Sequence, residues 1–361
     1  YDNDADGNLD RIRVVFSETV RDSSFIVADF LVDGVPADSI DTDVVDDNTF
    51  DLLFDDLTGT GAVELSYTQG TGTDLVDPGN LLETVSVSAI DEAAPVLLSA
   101  ETTTTTTVNV FFSESLDETT VDLDDFTVDG VGPLLQTELN GVVTLTVAEF
   151  GTGDTPSVVY DNTWSAGVLD PAGNLSPTNS VVAEDGVAPL LSSVSISSNN
   201  LKDFSLAKVG DEVTLEFTAS EDLQTPVVTI AGNSAVVIGG DETWTATYTM
   251  TVSDTEGDVA FTINFSDLAG NAGTQVALTT DDSSVLFDKI APTVDAGDDV
   301  ITNAVVNQVG SAEDSGSGVD EGTYEWTQVS GPGTVTFGTP NESSTTLSAD
   351  LEGTYTIQLS V

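Results

Sequence analysis

The chain has 361 residues, with six Lys or Arg against 63 Asp or Glu, a net charge of −57, and neither cysteine nor histidine. Those counts exclude a disulfide framework, a thiolate metal site and an imidazole general base. They also exclude nucleic acid as a partner, since the chain lacks basic groups to displace counterions from phosphate, and they leave oxygen as the ligand chemistry for any cation.

In chain order, the first feature is the segment Asp2-Asn3-Asp4-Ala5-Asp6-Gly7-Asn8-Leu9-Asp10. Side-chain oxygens at positions 1, 3, 5 and 9 of a loop, with glycine at position 6, have the spacing of a calcium loop. Position 12 is Arg13 rather than a bidentate Glu, and a strand follows at once, so the loop is not an EF-hand. Asp2, Asp4, Asp6 and Asp10 are its candidate ligands.

Internal repeats organise the rest. Acidic residues followed by Ala-Pro mark three junctions: Asp91-Glu92-Ala93-Ala94-Pro95, Glu184-Asp185-Gly186-Val187-Ala188-Pro189 and Asp288-Lys289-Ile290-Ala291-Pro292. Their last prolines are 94 and 103 residues apart, the length of one sandwich domain. The predicted domains are therefore 1–94, 95–188, 189–292 and 293–361. Each of the first three carries an early strand with an acidic end, Val14–Glu18, Val110–Glu114 and Phe217–Glu221. The first two then share Asp29-Phe30-Leu31-Val32-Asp33-Gly34 and Asp125-Phe126-Thr127-Val128-Asp129-Gly130, which the third lacks, so the third is expected to be a different subtype. Late in each unit comes an Asp-to-Gly-Asn turn: Asp77-Pro78-Gly79-Asn80, Asp170-Pro171-Ala172-Gly173-Asn174 and Asp267-Leu268-Ala269-Gly270-Asn271.

Segments such as 142–147, 213–218 and 243–252 alternate apolar residues with Thr, Glu or Ser, and Gly, Asp, Asn and Pro separate them at short intervals. No helical period is sustained. The expected class is all-β, as tandem β-sandwiches in an extended rod. Thr102–Thr107 reads as an exposed strand, and Trp164, Trp244 and Trp326 read as core residues in strands. Asp55-Asp56 and Asp281-Asp282 read as solvated turns rather than acid–base pairs, since neighbouring strand residues face opposite ways. Asn174, Asn264 and Asn341 begin glycosylation sequons, a triplet that chance supplies often. No apolar run reaches the ~18 residues needed to cross a bilayer. The chain starts at Tyr1 with no leader before the first motif and ends on a strand, so a processed or excised segment, cut inside or at the end of a fourth domain, is expected.

Through the Phe-Ser-Glu strand ends and the Asp-x-Ala-Gly-Asn turns, the first three units resemble bacterial and archaeal immunoglobulin-like surface domains. Through Tyr324-Glu325-Trp326-Thr327-Gln328-Val329-Ser330-Gly331-Pro332 and the closing Gly353-Thr354-Tyr355 strand, the fourth resembles the polycystic-kidney-disease-type domain. The resemblance implies Ig-like sandwiches of the kind arrayed in adhesins, surface-layer proteins and large exported proteins, where they space, stiffen or adhere. The Asp2–Asp10 loop resembles the Asp-rich calcium loops of dockerin or thrombospondin repeats.

Sandwich topology then groups the acidic motifs. The second strand of a sandwich returns to the N-terminal pole, the turn before the last strand lies there, and the linker arrives there. The first pole would join the Asp2–Asp10 loop with Glu18 and Asp77; the second, Asp91, Glu92, Glu114 and Asp170. The third would use Glu184, Asp185, Glu221 and Asp267, with Asp222 as a further candidate. The fourth would use Asp288, with Glu313 or Asp314 as alternatives. Carboxylates crowded in partly buried surroundings repel by several kcal/mol, and a calcium ion turns that repulsion into a clamp, as in the design of cadherin joints. The expected function is structural and non-catalytic: a cell-surface stalk, surface layer or fibre, extracellular, stiffened by calcium at its joints and self-associating or continuous with neighbouring domains. The alternatives are a ligand- or glycan-binding adhesin module and an accessory region of a polysaccharide-degrading enzyme. Residues 95–188 hold fifteen acidic residues and no Lys or Arg, more acid than the poles need, which points to a salt-rich habitat as well.

Overall fold

The computed structural model describes residues 1–361 apart from Pro78, Ser317 and Asp320, and apart from the side chains of Asp56 and Glu321. It is all-β, as the alternating pattern requires, and its described residues form two compact units, Tyr1–Val187 and Ala188–Val361. No helix among them is long and apolar enough to cross a membrane.

The first unit holds two pairs of sheets, each closing on its own core. In the first pair, the sheet ordered Asn8–Val15, Thr49–Thr58, Ser39–Asp41 faces the sheet ordered Val35–Pro36, Phe30–Val32, Glu64–Tyr67, Val85–Ser88. Ile12, Phe50 and Leu52 from one sheet and Phe30, Val32 and Tyr67 from the other fill the space between them. Phe30 and Tyr67 approach to 4.8 Å between ring centroids, a pairing that adds about 0.5–1.5 kcal/mol to simple burial. Arg11 and Arg13 point outward from the first strand and both bind the Asp51 carboxylate. Arg13 thereby holds Asp51 below the ordinary carboxylate range.

The second pair sets the order Leu135–Leu139, Val142–Thr146, Thr107–Phe112, Leu97–Thr104 against Phe126–Val128, Ser157–Tyr160, Asn179–Val182. Strand Thr107–Phe112 alternates partly buried with buried residues, so Val108, Val110 and Phe112 reach the core, where Tyr160 and Phe126 meet them. The Asp-Phe-x-Val-Asp-Gly motif explains itself here. Asp33-Gly34 and Asp129-Gly130 both have positive φ, the backbone of a tight two-residue turn. Each aspartate then accepts an N–H from the neighbouring strand of its sheet, Glu64 N–H and Ser157 N–H respectively. The threonine run is a hairpin rather than a single exposed strand. Leu97–Thr104 and Thr107–Phe112 meet across it, and Thr102 is buried, its hydroxyl accepting from Gly186 N–H.

In the second unit, Leu191–Ser198, Glu212–Ala219, Thr243–Thr249 and Val236–Gly240 form a four-stranded sheet opposite Asn233–Ser234, Val227–Ile230 and Phe261–Asn264. Phe217, Trp244, Ile230, Ile263 and Met250 are buried between them. Leu206–Ala207 pairs in parallel with Leu286–Phe287. The remaining strands are Thr293–Asp295 with Ser311–Glu313, Val306–Val309 with Ser344–Ala349 and Val335–Phe337, and Glu325–Ser330 with Thr356–Ser360. Trp326, Val335 and Leu359 are buried among these.

Trp244 and Trp326 are core residues as expected, whereas Trp164 is 48% exposed. Trp164 sits in a turn, not a strand, because Asp161 captures the Thr163 N–H and hydroxyl and bends the chain just before it.

Candidate metal centre

The acidic-Ala-Pro linkers share one local geometry. Asp91 Oδ1 accepts the Ala93 N–H, Asp185 Oδ1 the Val187 N–H and Asp288 Oδ1 the Ile290 N–H. Each aspartate thus turns back on its own chain, the habit that makes Asp a turn residue. In the first linker the turn leaves Asp91 half-buried beside two further carboxylates.

The first of these is Glu114. Strand Thr107–Phe112 delivers it to the linker, where Ser113 N–H binds the Val96 carbonyl and Val96 N–H binds the Ser113 hydroxyl. The second is Asp170, 1% exposed. Its Oδ1 accepts the N–H groups of Gly173 and Asn174, and its Oδ2 accepts from the Asn174 side chain. Asn174 also donates to the Asp91 carbonyl, tying this turn to the linker. Asp91, Glu114 and Asp170 each offer a carboxylate oxygen, and the three lie within 4.8 Å of one another. Burial, and then the charges of Asp91 and Asp170, push the Glu114 carboxyl up to about 7, against the pull of its Thr60 hydrogen bond. Burial, reinforced by Asp170, also raises Asp91, although the Ala93 N–H pulls the other way. The Tyr1 ammonium pulls Asp91 back in part, but no ion pair among the described residues reaches the three carboxylates: those present join Arg11 or Arg13 to Asp43 or Asp51.

Thr60 was not legible from the sequence as part of this site. It is fully buried, and its hydroxyl lies 2.6 Å from Glu114 Oε1 and 2.5 Å from the Ser113 hydroxyl. The only signal was its place in Gly59-Thr60-Gly61, where Gly59 has φ +86°. Glu92 is exposed and meets the Tyr1 hydroxyl rather than the three carboxylates.

The Asp2–Asp10 loop forms a second cluster. Asp2, Asp4 and Asp10 bring one oxygen each within 4.8 Å of one another. Asp2 accepts from Ala5 and Gly7 N–H, Asp10 from Asn3 N–H, and Asp6 turns its carboxylate onto the Asn8 N–H. Gly7 has φ +92° and lies so close to Leu98 that a Cβ would come within 2.4 Å of it. Arg13, at position 12 of the loop, is engaged with Asp51 and Asp43.

This packing corrects one grouping. The loop lies beside Leu98 and Ser113, at the junction with the second pair of sheets, not with Glu18 and Asp77. Asn8–Val15 leads away from it, and its eight residues span about 25 Å before Glu18 is reached. The strand expected to end at the loop's own pole begins there instead.

Asp77 is a second correction. The pairs Thr73–Leu81, Leu169–Leu175 and Ser266–Ala272 are equivalent bridges. They align Asp74, not Asp77, with Asp170 and Asp267, and Asp74 N–H binds the Asn80 carbonyl as Asp170 N–H binds that of Asn174. Two extra residues separate Asp74 from Asn80, so matching the motif at its Gly-Asn end selects the wrong aspartate. Asp77 and Glu18 are both exposed.

Of the remaining candidates, Glu184 is exposed and pairs through its backbone with Ala100 and Thr102. Asp185 is half-buried in the first unit. In the second unit Glu221, Asp267 and Asp288 are all buried. Asp267 repeats the Asp170 turn, accepting Gly270 N–H, Asn271 N–H and the Asn271 side chain, and its backbone bridges Leu223, two residues past Glu221. Asp55 is exposed but lies within strand Thr49–Thr58 rather than in a turn, Asp281 caps the Ser283 N–H, and the side chain of Asp56 lies outside the described residues.

Residues 296–361 match a family model for a PKD domain, in agreement with the resemblance carried by the Tyr324–Pro332 segment. No curated protein matches the chain. Among solved structures, it is similar to the N-terminal part of the bacterial S-layer protein SbsC, at 16% identity, covering 54% of this chain and 44% of that one, with a TM-score of 0.23. A longer piece of the same S-layer protein, rSbsC(31-844), gives 13% identity, 98% and 62% coverage and a TM-score of 0.20. The Bacteroides ovatus mixed-linkage glucan utilization locus protein SGBP-B, solved with a mixed-linkage heptasaccharide, gives 13% identity, 79% and 66% coverage and a TM-score of 0.18. The chain spans less than two thirds of each of these three solved chains.

Proposed function

We propose that this chain is a non-catalytic segment of an extracellular, cell-surface protein, a stalk, layer or fibre element, whose first junction is locked by calcium. The observation that carries the proposal is the convergence of Asp91, Glu114 and Asp170 within 4.8 Å, half-buried or buried, with no basic side chain among the described residues paired to them. The three come from a linker, a strand end and a turn that sequence separates widely. An ion held by all three fixes those elements relative to one another. The ligands are all carboxylate oxygens, which suits a hard cation such as calcium. The Asp2, Asp4 and Asp10 cluster supplies a second, more exposed ion on the same junction. Calcium here sets stiffness rather than chemistry.

The test is calorimetric titration of calcium into the chelator-treated chain, with thermal melting alongside. Saturable heat and a rise in melting temperature are expected, with a weaker response to magnesium. Absence of both heat and thermal shift would sink the proposal.

A further inference from the structure

On a chain of charge −57, the outward face of one sheet is almost free of charge. In the second pair of sheets of the first unit, cross-strand register sets the outer face of the four-stranded sheet in three rows. They are Leu139, Val142, Phe111 and Ser99; then Thr137, Thr144, Asn109 and Glu101; then Leu135, Thr146, Thr107 and Thr104. One carboxylate stands among these twelve residues, although residues 95–188 carry fifteen acids. The terminal strand of that sheet, Leu135–Leu139, presents Leu135 at 57% exposure and Leu139 at 71%.

Sheet edges in monomeric proteins are usually guarded by lysine, proline, a bulge or an inward-pointing charge, because an open edge pairs with any other. Leu135–Leu139 has no lysine, no proline and no register shift against its neighbour. Its one charge, Glu138, stands on the inward-facing row opposite buried Val143, but it is held within its own hairpin, where Oε1 accepts the Gly141 N–H. Two copies of this chain repel wherever acid meets acid, and this strip is a place where they need not. A basic partner would choose the acidic faces instead. A glycan would look for exposed aromatic platforms, and the one ring of the strip, Phe111, is half-buried among aliphatic and hydroxyl groups. Its near-uniform composition also makes it complementary to itself when read antiparallel, which is what a two-fold contact requires.

We infer that the Leu135–Leu139 edge is a self-association site, where the same edge of a second copy pairs antiparallel about an axis at Thr137. Leu135 then lies opposite Leu139 of the second copy, twice, and two four-stranded sheets become one of eight strands. The inference does not depend on calcium at the junction. Repulsion between whole chains opposes the contact at low ionic strength, and about 1 M salt, with a Debye length near 3 Å, removes most of it.

The chain contains no cysteine, so Thr137→Cys reads the geometry directly. Residues facing each other across antiparallel strands bring Cβ atoms to about 4.5–5.5 Å, within the reach of a disulfide after small adjustment. Mild oxidation of the full T137C chain in concentrated salt should give a disulfide dimer at least tenfold faster than Ile238→Cys, an exposed residue on the edge strand Val236–Gly240 of the second unit. Sedimentation of the cysteine-free chain should show a dimer that grows with salt, is lost in Thr137→Asp and survives in Ile238→Asp. Matched melting temperatures confirm that the variants fold. The inference is overturned if the wild-type chain stays monomeric at every salt concentration, if T137D dimerises as well as wild type, or if T137C crosslinks no faster than I238C.

Discussion

Replacing Glu114 by Gln separates a clamp from a crowd of solvated acids, because the two accounts predict different signs. The carboxyl is pushed up to about 7 by burial and by Asp91 and Asp170, against an ordinary glutamate near 4.3. At about 1.4 kcal/mol per pH unit, the ionised form would cost up to roughly 4 kcal/mol above pH 7. The side chain is only half-buried, so solvent screening reduces this to about 1–2 kcal/mol. A group raised in this way supports the fold fully below its unfolded pKa, and that support disappears as pH rises through the folded value. In chelator, therefore, the wild-type first unit should lose stability from about pH 4.5 to about pH 7 through this group. Glutamine keeps an acceptor for Thr60 and discards the charge. In chelator at pH 8, E114Q should melt about 2–8 °C higher, at 2–4 °C per kcal/mol for a unit of this size. At pH 4 the variant and wild type should coincide. In calcium the order reverses. Calcium at a hundred times its dissociation constant stabilises the wild type by about 2.7 kcal/mol, and the variant forfeits most of this. Scanning calorimetry at pH 4 and 8, with chelator and with millimolar calcium, measures all four cells. A destabilised E114Q in chelator, or equal calcium shifts in both proteins, refutes the clamp.

Three further outcomes follow from the same geometry. Gly141 has φ +81° and a Cβ there would lie 2.2 Å from the Glu114 carbonyl oxygen. Gly141→Ala should cost about 1–3 kcal/mol by chemical denaturation and raise the calcium concentration at half-saturation. Asp125 is fully buried, with Oδ1 bound by the Ser165 hydroxyl, and burial raises its carboxyl. Asp125→Asn should raise the melting temperature at pH 8 and have a smaller effect as pH falls and the aspartate takes up its proton; a pH-independent effect would mean that shape rather than charge decides. Asp77 is exposed and not equivalent to Asp170, so Asp77→Asn should change stability by less than about 0.5 kcal/mol and leave calcium titration unaltered.

The sheets were legible because period-two burial is written residue by residue, as in Thr107–Phe112, and needs no knowledge of neighbours. The junction was legible in part for a similar reason. Phe112-Ser113-Glu114 and Asp170–Asn174 recur at fixed places in a repeat, so sandwich topology alone predicts that they meet. Prediction failed where one residue's meaning depends on a partner far along the chain. Thr60 is an ordinary loop hydroxyl until Ser113 and Glu114 close over it. Trp164 carries the composition of a core residue, yet Asp161 bends the chain and leaves the indole outside. Asp74 was hidden by two inserted residues, since a motif read from its Gly-Asn end cannot register a longer loop. The Asp2–Asp10 loop shows the same limit at larger scale. Its internal spacing brings Asp2, Asp4 and Asp10 together without help, but its address is set by the direction of the strand that follows. Asn8–Val15 pairs with Thr49–Thr58 as Thr107–Phe112 pairs with Val142–Thr146, so it plays the returning role that Thr107–Phe112 plays after Leu97–Thr104. The loop is thereby carried to the far end of its sheets, where its carboxylates join the junction that Asp91, Glu114 and Asp170 already crowd.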